Sequence, residues 1–412
     1  MVDGDRVWRR LQELAAHTAT PGSGVTRLSF TAEDMRARRQ VVAWMRASGL
    51  EVGGDEWGNF YGMLRAGKGD GAVMVGSHID SVPGGGAFDG VLGVVAGLEC
   101  LDARRHDPAK LRRSLVLAVF AEEEGARFGE VLAGSRAAVD AAAREKVLNA
   151  KDASGCTYRE AAEAARRELG LPVASGFDLD VHAMLELHIE QGAVLEQAGV
   201  ELGVVTAIAG IRQYWVRLTG LANHAGATPM SMRMDALAAA AEVVAGVEDL
   251  PGGPGSPDTV ATVGQLVVSP NAANVIPGEV RFTIDLRDPD REALARCAAA
   301  LHRLVQEVAG RRGLHCSIAD RSAWEPVRCH PALVERLERV CREAGISHRR
   351  IFSGAVHDAG VVAQLAPMGM LFVPSAAGRS HCPEEWTGPE AVGKGTRILC
   401  TVLADLARGG DG

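Results

Sequence analysis

The residues of this chain best suited to chemistry lie in the segment 72–99, AVMVGSHIDSVPGGGAFDGVLGVVAGLE. Its apolar start, residues 73–75, predicts a buried strand, and His78 and Asp80 follow at the carboxyl end of that strand. Residues two apart in an extended chain share a face, so both side chains are expected to point the same way. An imidazole that binds a metal ion usually has a carboxylate or carbonyl at its other ring nitrogen. The pair therefore indicates metal chemistry at a strand end.

Three glycines, residues 84–86, predict a turn that delivers Asp89 to the start of a helical run, residues 90–102. Taken alone, Asp89 could be the N-cap of that helix, and His78 alone is more often a buried core histidine. A dinucleotide-binding loop is excluded, because Asp89 stands where the third glycine is required and its carboxylate would repel phosphate. The combination of one histidine and two aspartates at one strand end favours a functional site.

An acidic run, Glu122 to Glu124, follows the next apolar segment, residues 115–120. A helix between two buried strands predicts a βαβ unit whose strands are parallel neighbours. The working groups of open α/β sheets collect at the carboxyl ends of such strands, so the acidic run is expected beside His78 and Asp89. Adjacent residues face opposite ways, which lets one carboxylate bind metal while the next faces substrate. A solvated acidic turn is the simpler alternative.

The segment 182–191, HAMLELHIEQ, alternates polar and apolar residues and predicts a strand. Its polar face carries Glu186, His188 and Glu190 and is expected to border a cavity, whereas its apolar face borders the core. Three ionisable groups on one strand face need a partner. A metal ion is the simplest one.

The length of 412 residues exceeds one ordinary core and predicts two domains, while 47% hydrophobic and 23% charged residues are typical of a globular protein. A net charge of −8 gives no basic surface for nucleic acid, and no stretch is apolar enough to cross a bilayer. The first residues predict an amphipathic helix without the apolar centre of a signal peptide, so the cytoplasm is expected.

The eight cysteines are scattered without a C-x-x-C pair, which argues against a disulfide framework or a thiolate zinc site. Cys382 could act as a nucleophile, but no base and orienting group are recognisable around it. Near the N-terminus, Thr31 is expected to open a second helix with a capping box completed by Asp34. Residues 57–59 predict the tip of a hairpin.

The order of predicted elements changes after residue 208. The strands are expected at 211–218, 258–268, 279–286 and 314–319, and the helices at 235–247 and 291–309. This β-α-β-β-α-β order is typical of a small antiparallel sheet with helices on one face. We therefore predict an α/β fold with a mixed sheet and helices on both faces, formed by residues 1–208 and 326–412. An inserted α+β domain, residues 209–325, interrupts it.

Seven motifs in order resemble the zinc-dependent amidohydrolases that include N-carbamoyl-L-amino-acid hydrolase, β-ureidopropionase (β-alanine synthase) and allantoate amidohydrolase, relatives of the dinuclear carboxypeptidases. The motifs are GSHIDSVPGGGAFDG, FAEEEGARFG, LELHIEQG, GLANHAGATPM, PNAANVIPGEVRFTIDLRDPD, SGAVHDAG and VPSAAGRSHCPEEWT. They cover nearly the whole chain and are specific for the family rather than for the substrate.

The resemblance implies a metal site of five residues with Asp89 as the bridge. One ion would be held by His78, Asp89 and His188, and the other by Asp89, Glu124 and His381. Glu123 would be the general base, and Asp80 would support the metal site. Further residues are implied to bind substrate, namely Gln191, His224, Asn274 and Arg287.

In this family the inserted domain is a lid that also forms a homodimer, and a lid histidine such as His224 can come from the neighbouring subunit. Imidazole and carboxylate donors without a thiolate suit Zn²⁺, but also Mn²⁺, Co²⁺ or Ni²⁺. Bound Zn²⁺ lowers the pKa of water from roughly 15.7 to about 7, and Glu123 would carry its proton to the leaving nitrogen. His224 and Asn274 would stabilise the oxyanion, and Arg287 would bind a carboxylate.

The expected reaction is hydrolysis of a linear amide C–N bond, above all removal of the carbamoyl group from an N-carbamoyl-L-amino acid. Allantoate, β-ureidopropionate and other N-acyl amino acids are alternative substrates, and residues 88–91 slightly favour the carbamoylases. A mononuclear peptidase is a further alternative. A catalytically silent ligand-binding relative is disfavoured, because Glu123 and all five candidate ligands are retained. One departure is Val356, where the family has the second glycine of SGAGHDA, so this loop is expected to differ in shape.

Overall fold

The computed structural model describes residues 2–66, 70–106 and 110–409. Its contacts divide the chain into two units, which are described separately. The first unit comprises Met1–Thr206, Cys329–Ile351 and His357–Gly412, and the second comprises Ala207–Arg328 and Phe352–Val356. The short segment Phe352–Val356 thus belongs to the second unit, although the sequence analysis placed it in the domain formed by residues 1–208 and 326–412.

The strands are, in chain order, β1 Glu51–Gly54, β2 Phe60–Leu64, β3 Ala72–His78, β4 Ser114–Phe120, β5 Val181–Ile189, β6 Leu202–Ile208, β7 Gly210–Thr219, β8 Asn223–His224, β9 Val260–Thr262, β10 Leu266–Ser269, β11 Val275–Ile276, β12 Glu279–Asp288, β13 His315–Trp324, β14 Val327–Arg328, β15 His348–Ser353 and β16 Met368–Val373. The α-helices are α1 Gly4–Ala15, α2 Ala32–Ala47, α3 Val91–Asp102, α4 Ala133–Val139, α5 Ala141–Asn149, α6 Tyr158–Glu168, α7 Val194–Ala198, α8 Ala236–Val247, α9 Arg291–Arg311, α10 Pro331–Glu343, α11 Asp358–Val362 and α12 Pro389–Ala407.

The first unit is built on a mixed sheet in which the strands follow the order β1-β2-β4-β3-β5-β16-β6, and β15 also pairs with β6. Strand β3 is parallel to β4 and to β5, and β5 is parallel to β16. The predicted parallel pairing of β3 and β4 is confirmed, with His78 opposite Phe120. The predicted hairpin is also confirmed, because β1 and β2 pair antiparallel on either side of residues 57–59. The carboxyl ends of the parallel strands β4, β3, β5 and β16 therefore meet at one edge.

Helices cover both faces of this sheet. Alternation along β5 sends Leu187 to one face and Glu186 to the other. Leu187 packs against α12, where a Cβ on Gly395 would lie 3.0 Å from the leucine side chain. Glu186 accepts a hydrogen bond from the N–H of Ala359, in α11, at 3.0 Å. The predicted mixed α/β class is confirmed, and this topology brings β3, β4 and β5 together between two helical layers.

The second unit contains a separate antiparallel sheet with the strand order β10-β12-β7-β13, and β9 also pairs with β12. Helices α8 and α9 contribute to its core, in which Phe282 and Val243 are buried. The single strand predicted at 258–268 is wrong, because this stretch forms β9 and β10. The two strands pair with opposite ends of β12. The break lies opposite Thr283, whose N–H donates to the carbonyl oxygen of Gln265 at 3.1 Å.

The capping box predicted at Thr31 is also wrong. Helix α2 does begin after Thr31, but the threonine hydroxyl donates to the carbonyl oxygen of Leu28 at 2.8 Å. Asp34 accepts instead from the N–H of Phe30 and from Arg38, both at its Oδ2 atom. The buried Arg38 thus engages the carboxylate that the capping box requires. Elsewhere in the described chain, no helix combines the length and apolarity needed to cross a membrane.

Candidate metal centre

The first side chain of the centre is His78, the last residue of β3. Its Nδ1 atom lies 3.1 Å from the carbonyl oxygen of Asp80, and the ring is 2% exposed. Its Nε2 atom faces Asp89 Oδ1 and Glu123 Oε2, each at 3.6 Å. A carbonyl at Nδ1 holds the proton there and leaves the Nε2 lone pair available to a metal ion.

Asp80 connects the ends of the two parallel strands. Its carboxylate accepts hydrogen bonds from the N–H groups of Glu123 at 3.3 Å and Glu124 at 3.2 Å. The contact with the ring of His78 comes from the Asp80 backbone, since the carboxylate oxygen is 3.7 Å from Nδ1. Asp80 therefore orients the acidic segment after β4 and the histidine after β3 at the same time.

Asp89 is not the N-cap of α3, so that alternative is wrong. The cap is Gly90, which has φ 67° and ψ −48°. A Cβ at Gly90 would lie 2.3 Å from atoms of the His78 ring, and its N–H points at His188 Nε2 from 3.1 Å. Only glycine fits a positive φ and this approach together. The side chain of Asp89 is thereby free to face the histidines.

His188 completes the first group of donor atoms. Its Nδ1 atom lies 2.9 Å from the carbonyl oxygen of Ile189, and its Nε2 atom lies 3.3 Å from Asp89 Oδ1. The carbonyl of Ile189 accepts the proton on Nδ1, so Nε2 is the ring atom that faces Asp89 and the N–H of Gly90. The donor atoms of His78, Asp89 and His188 all lie within 4.8 Å of one another.

The second group uses the other oxygen of Asp89. His381 Nε2 lies 3.4 Å from Asp89 Oδ2 and 3.4 Å from Glu124 Oε1. His381, half-exposed, has a positive φ of 56°, as do Glu122 with 53° and Gln191 with 60°. Non-glycine residues in this region cost roughly 1–3 kcal/mol each, and such strain concentrates at functional sites. His381 is itself a candidate metal ligand, and Glu122 and Gln191 lie within three residues of one in the sequence.

The spacing of these atoms fits a bound cation better than direct hydrogen bonds. The separations of 3.3 to 3.6 Å between imidazole nitrogen and carboxylate oxygen exceed the ordinary hydrogen-bond range of about 2.7–3.2 Å. Ligands about 2.0–2.1 Å from a tetrahedral zinc ion lie about 3.4 Å from one another. The donors are imidazole and carboxylate groups, which suit a divalent cation.

The electrostatics of the cluster also favour cations. Burial, followed by repulsion from neighbouring carboxylates, raises the pKa of Glu123 and Glu124 well above the usual range. Burial disfavours the charged form of His188, but Asp89 outweighs this and raises the pKa of His188 to about 9. The hydrogen bond to Asp89 likewise raises the pKa of His381 to about 9. The negative potential of the carboxylates thus attracts positive charge, which a metal ion would supply in place of protons.

The three polar residues predicted on one face, Glu186, His188 and Glu190, do not act as one set, and Glu190 lies just beyond the end of β5. Glu186 accepts hydrogen bonds from the Ser77 hydroxyl at 2.7 Å and from Ala359. Glu190 accepts from the N–H groups of Val194 at 2.7 Å and Leu195 at 3.0 Å, at the start of α7. The expectation of a metal partner for Glu190 is therefore wrong, since helical N–H groups supply its partners. A further group of donor atoms, not foreseen, comprises Glu186, His188 and His357.

The residues expected to bind substrate fall in both units. Gln191 is in the first unit, where its amide nitrogen donates to Asp89 Oδ2 at 2.7 Å. His224, Asn274 and Arg287 belong to the second unit. There, the N–H of Ala225 next to His224 donates to the carbonyl oxygen of Asn274 at 2.9 Å.

Arg287 and Val356 also belong to the second unit. Arg287 pairs with Asp285 at 2.8 Å and donates to the carbonyl oxygen of Gly354 at 2.6 Å. Val356, which replaces a glycine of the family loop, is not among the residues with positive φ. Its backbone therefore does not require a glycine.

Two residues that bind the donor segments were missed at the sequence level, Ser380 and Glu385. The Ser380 hydroxyl lies 2.8 Å from Asp89 Oδ2, and Glu385 accepts from the N–H of Asp89 at 3.0 Å. Glu385 is one of two adjacent glutamates. The two differ in solvent exposure, because the side chain of Glu384 is 58% exposed whereas Glu385 is 4% exposed. Identical residue types in sequence gave no signal for this difference.

Comparison with known proteins places these residues in context. The sequence of residues 74–405 matches the family model of peptidase family M20/M25/M40. An N-carbamoyl-L-amino acid amidohydrolase of Geobacillus stearothermophilus is 41% identical, over 99% of this chain and 100% of that protein. An allantoate amidohydrolase of Bacillus subtilis (strain 168) is 36% identical over 96% of each chain. A solved amidase of the hydantoinase/carbamoylase family from Burkholderia multivorans matches with a TM-score of 0.92 and 38% identity over 98% of both chains.

Proposed function

The chain belongs to peptidase family M20/M25/M40, and from this premise we propose that it removes the carbamoyl group of N-carbamoyl-L-amino acids. The products would be the L-amino acid, CO₂ and ammonia. The full-length similarity to the Geobacillus stearothermophilus amidohydrolase supports this reaction more than any other observation. The resemblance identified from seven motifs is confirmed, as is the class of hydrolases that act on non-peptide C–N bonds.

We assign one divalent cation to His78, Asp89 and His188, and a second to Asp89, Glu124 and His381. The two groups of donor atoms, which share Asp89 through its two oxygens, support this assignment. Zn²⁺ is the preferred metal of such a donor set, and Mn²⁺, Co²⁺ and Ni²⁺ are its alternatives. When bound, the cations would supply the positive charge that acidifies water and polarises the substrate carbonyl.

Glu123 is the proposed general base. Its carboxylate reaches 3.6 Å from His78 Nε2, and its backbone N–H is held by Asp80. From this position Glu123 accepts a proton from the attacking water and returns it to the leaving nitrogen, a role that contributes about 10²–10⁴-fold to the rate.

Four residues are proposed to recognise the substrate. Gln191 lies at Asp89, and His224, Asn274 and Arg287 lie in the second unit. The planar guanidinium of Arg287 fits the carboxylate of an amino-acid product in a bidentate way. We further propose a cytoplasmic homodimer formed through the second unit, in which His224 serves its own or the neighbouring active site.

A panel of metals and substrates tests the function. Apo protein is reloaded with Zn²⁺, Mn²⁺, Co²⁺ or Ni²⁺, and ammonia release is measured from N-carbamoyl-L-amino acids, their D-isomers, β-ureidopropionate and allantoate. The highest kcat/KM is expected for an N-carbamoyl-L-amino acid. Release from allantoate alone would instead support the second candidate, which the Bacillus subtilis relative favours. No release from any compound with two ions bound would refute the proposal.

A further inference from the structure

One buried carboxylate outside the two donor groups connects the segments that carry them. Glu385 Oε1 accepts hydrogen bonds from the N–H groups of Phe88 at 2.9 Å and Asp89 at 3.0 Å. Its other oxygen, Oε2, lies 2.8 Å from the hydroxyl of Ser380. Glu385 therefore holds the backbone at Asp89, which follows the glycine turn after β3, and the side chain of Ser380, the residue before His381.

Ser380 extends this connection to the side chain of Asp89. Its Oγ atom is 2.8 Å from Glu385 Oε2 and also 2.8 Å from Asp89 Oδ2. A hydroxyl has a single hydrogen, so it donates to only one of the two carboxylates at a time. The oxygen Asp89 Oδ2 belongs to the second donor group, with Glu124 and His381. The orientation of that oxygen is thus linked to Glu385 through one serine.

The glycine turn leaves the space that Glu385 occupies. A Cβ at Gly86 would lie 2.0 Å from Cδ and from Oε1 of Glu385, and 2.4 Å from Oε2. Real Cβ atoms do not approach this closely, so a side chain at position 86 would displace the carboxylate. Gly86 is not among the glycines with positive φ. Its requirement therefore comes from the contact with Glu385 and not from the shape of the turn.

Aromatic packing fixes the two segments behind this contact. The rings of Phe88 and Trp386 are 5.7 Å apart, and Trp8 of α1 stacks on Phe88 at 5.5 Å. Phe88, which precedes Asp89, and Trp386, which follows Glu385, therefore pack together next to these hydrogen bonds. The carboxylate cannot leave without breaking two hydrogen bonds to backbone N–H groups and its contact with Ser380.

We propose that Glu385 is a positioning residue that sets the affinity for the second cation by holding Asp89 Oδ2 and His381 in one arrangement. The inference rests on the proposed function only in that the second donor group binds a cation. Loss of groups that orient metal ligands typically weakens metal affinity by about 10–100-fold. A carboxylate with a merely structural role would change the stability of the fold and leave that affinity unchanged.

The test measures binding of Zn²⁺ to the apo protein by isothermal titration calorimetry, with Co²⁺ spectra as a second readout. We expect Glu385→Ala to weaken the second ion by about 10–100-fold and to leave the first nearly unchanged, because Ser380 contacts Asp89 Oδ2 of the second group whereas the first group uses Asp89 Oδ1. Glu385→Gln should retain most of the affinity. Its amide oxygen can accept from both backbone N–H groups, and its NH₂ can donate to Ser380, which then donates to Asp89.

Asp55→Ala is the matched control. Asp55 is also 4% exposed, and it accepts from two backbone N–H groups, those of Trp57 and Asn59, and from the Tyr61 hydroxyl. Its loss should lower thermal stability without changing the affinity for either ion. Equal weakening of the second ion in Asp55→Ala and Glu385→Ala would overturn the proposal, since the effect would then be a general loss of stability.

Gly86→Ala provides an independent test through a double-mutant cycle. In the wild-type background the new Cβ should displace Glu385 and weaken the second ion as Glu385→Ala does. In the Glu385→Ala background the space is vacant, and the same change should have little further effect. Two ions bound with wild-type affinity in Glu385→Ala would refute the inference alone. Fewer than two ions bound by the wild-type protein would instead refute the metal assignment of the proposed function.

Discussion

At the scale of residues, the proposed base Glu123 lies beside the two donor groups without belonging to either. Glu123 and Glu124 are neighbours, yet only Glu124 lies with Asp89 and His381 in a donor group. The separation follows from the hydrogen bonds of Asp80 to both backbone N–H groups, which hold the segment after β4 in one orientation. Two adjacent glutamates can therefore have different tasks.

The first prediction concerns Glu123→Gln. The amide keeps the shape of the side chain but cannot accept the proton of water, so kcat is expected to fall by about 10²–10⁴-fold. The measurements are steady-state ammonia release and metal content. The content should remain two ions per chain, because Glu123 is not a donor in either group. A variant that retains wild-type turnover would remove Glu123 from the mechanism.

The second prediction concerns Gly90→Ala. The new Cβ would meet the His78 ring at 2.3 Å, and the residue would keep an unfavourable positive φ. We expect lower thermal stability and loss of the ion held by His78 and His188, measured by metal analysis and thermal unfolding. Gly199→Ala is the control, since Gly199 has φ 62° and no atom lies within 4 Å of its Cβ position. If both variants bind metal equally poorly, backbone strain alone explains the effect.

At the scale of elements, the loop after β4 is held from outside by Arg127. The guanidinium of Arg127 pairs with Asp152 at 2.9 Å. The backbone N–H of Arg127 donates to the carboxylate of Glu122 at 2.7 Å. Asp152 also accepts from the hydroxyl of Ser154 at 2.6 Å. This chain of contacts joins the segment between α5 and α6 to the segment that carries the proposed base.

A pH dependence follows from Asp152. Hydrogen bonds from the side chains of Ser154 and Arg127 lower the pKa of Asp152 from 3.8 to about 2. The folded state therefore favours the ionised form, and the stabilisation is complete above pH 4 and is lost as pH falls towards 2. Chemical unfolding of wild type and Asp152→Asn should differ at neutral pH, and the difference should shrink below pH 4 and vanish only below about pH 2. A constant difference across this range would contradict the assignment.

The elements also show what sequence could and could not predict. The apolar runs and the alternation at 182–191 were sufficient to predict β3, β4 and β5, because periodicity reports burial directly. The hydrogen-bond partners of Glu190 could not be predicted, since they are the N–H groups of a short helix that begins four residues later. Glu385 was missed for a similar reason. Its role depends on contacts with Phe88 and Asp89, nearly 300 residues away in the chain.

At the scale of the whole molecule, metal and fold are expected to be linked. The carboxylates of the centre are buried close together, and their mutual repulsion opposes folding unless cations compensate it. A ligand that binds only the folded state stabilises it by about 2.7 kcal/mol at 100 times its dissociation constant. Chelation should therefore lower the midpoint of thermal unfolding, and added Zn²⁺ should restore it. An unchanged midpoint in calorimetry, with metal loss verified, would argue against cations in the cluster.

The division of the chain has a practical meaning for engineering. Arg287 donates to Gly354, and although both belong to the second unit, they come from two separate stretches of sequence, Ala207–Arg328 and Phe352–Val356. A chimera that grafts only the longer stretch from a relative would import the arginine and leave its native acceptor behind. Transplanting selectivity between homologues therefore calls for exchanging both stretches together, the pentapeptide with the long insert.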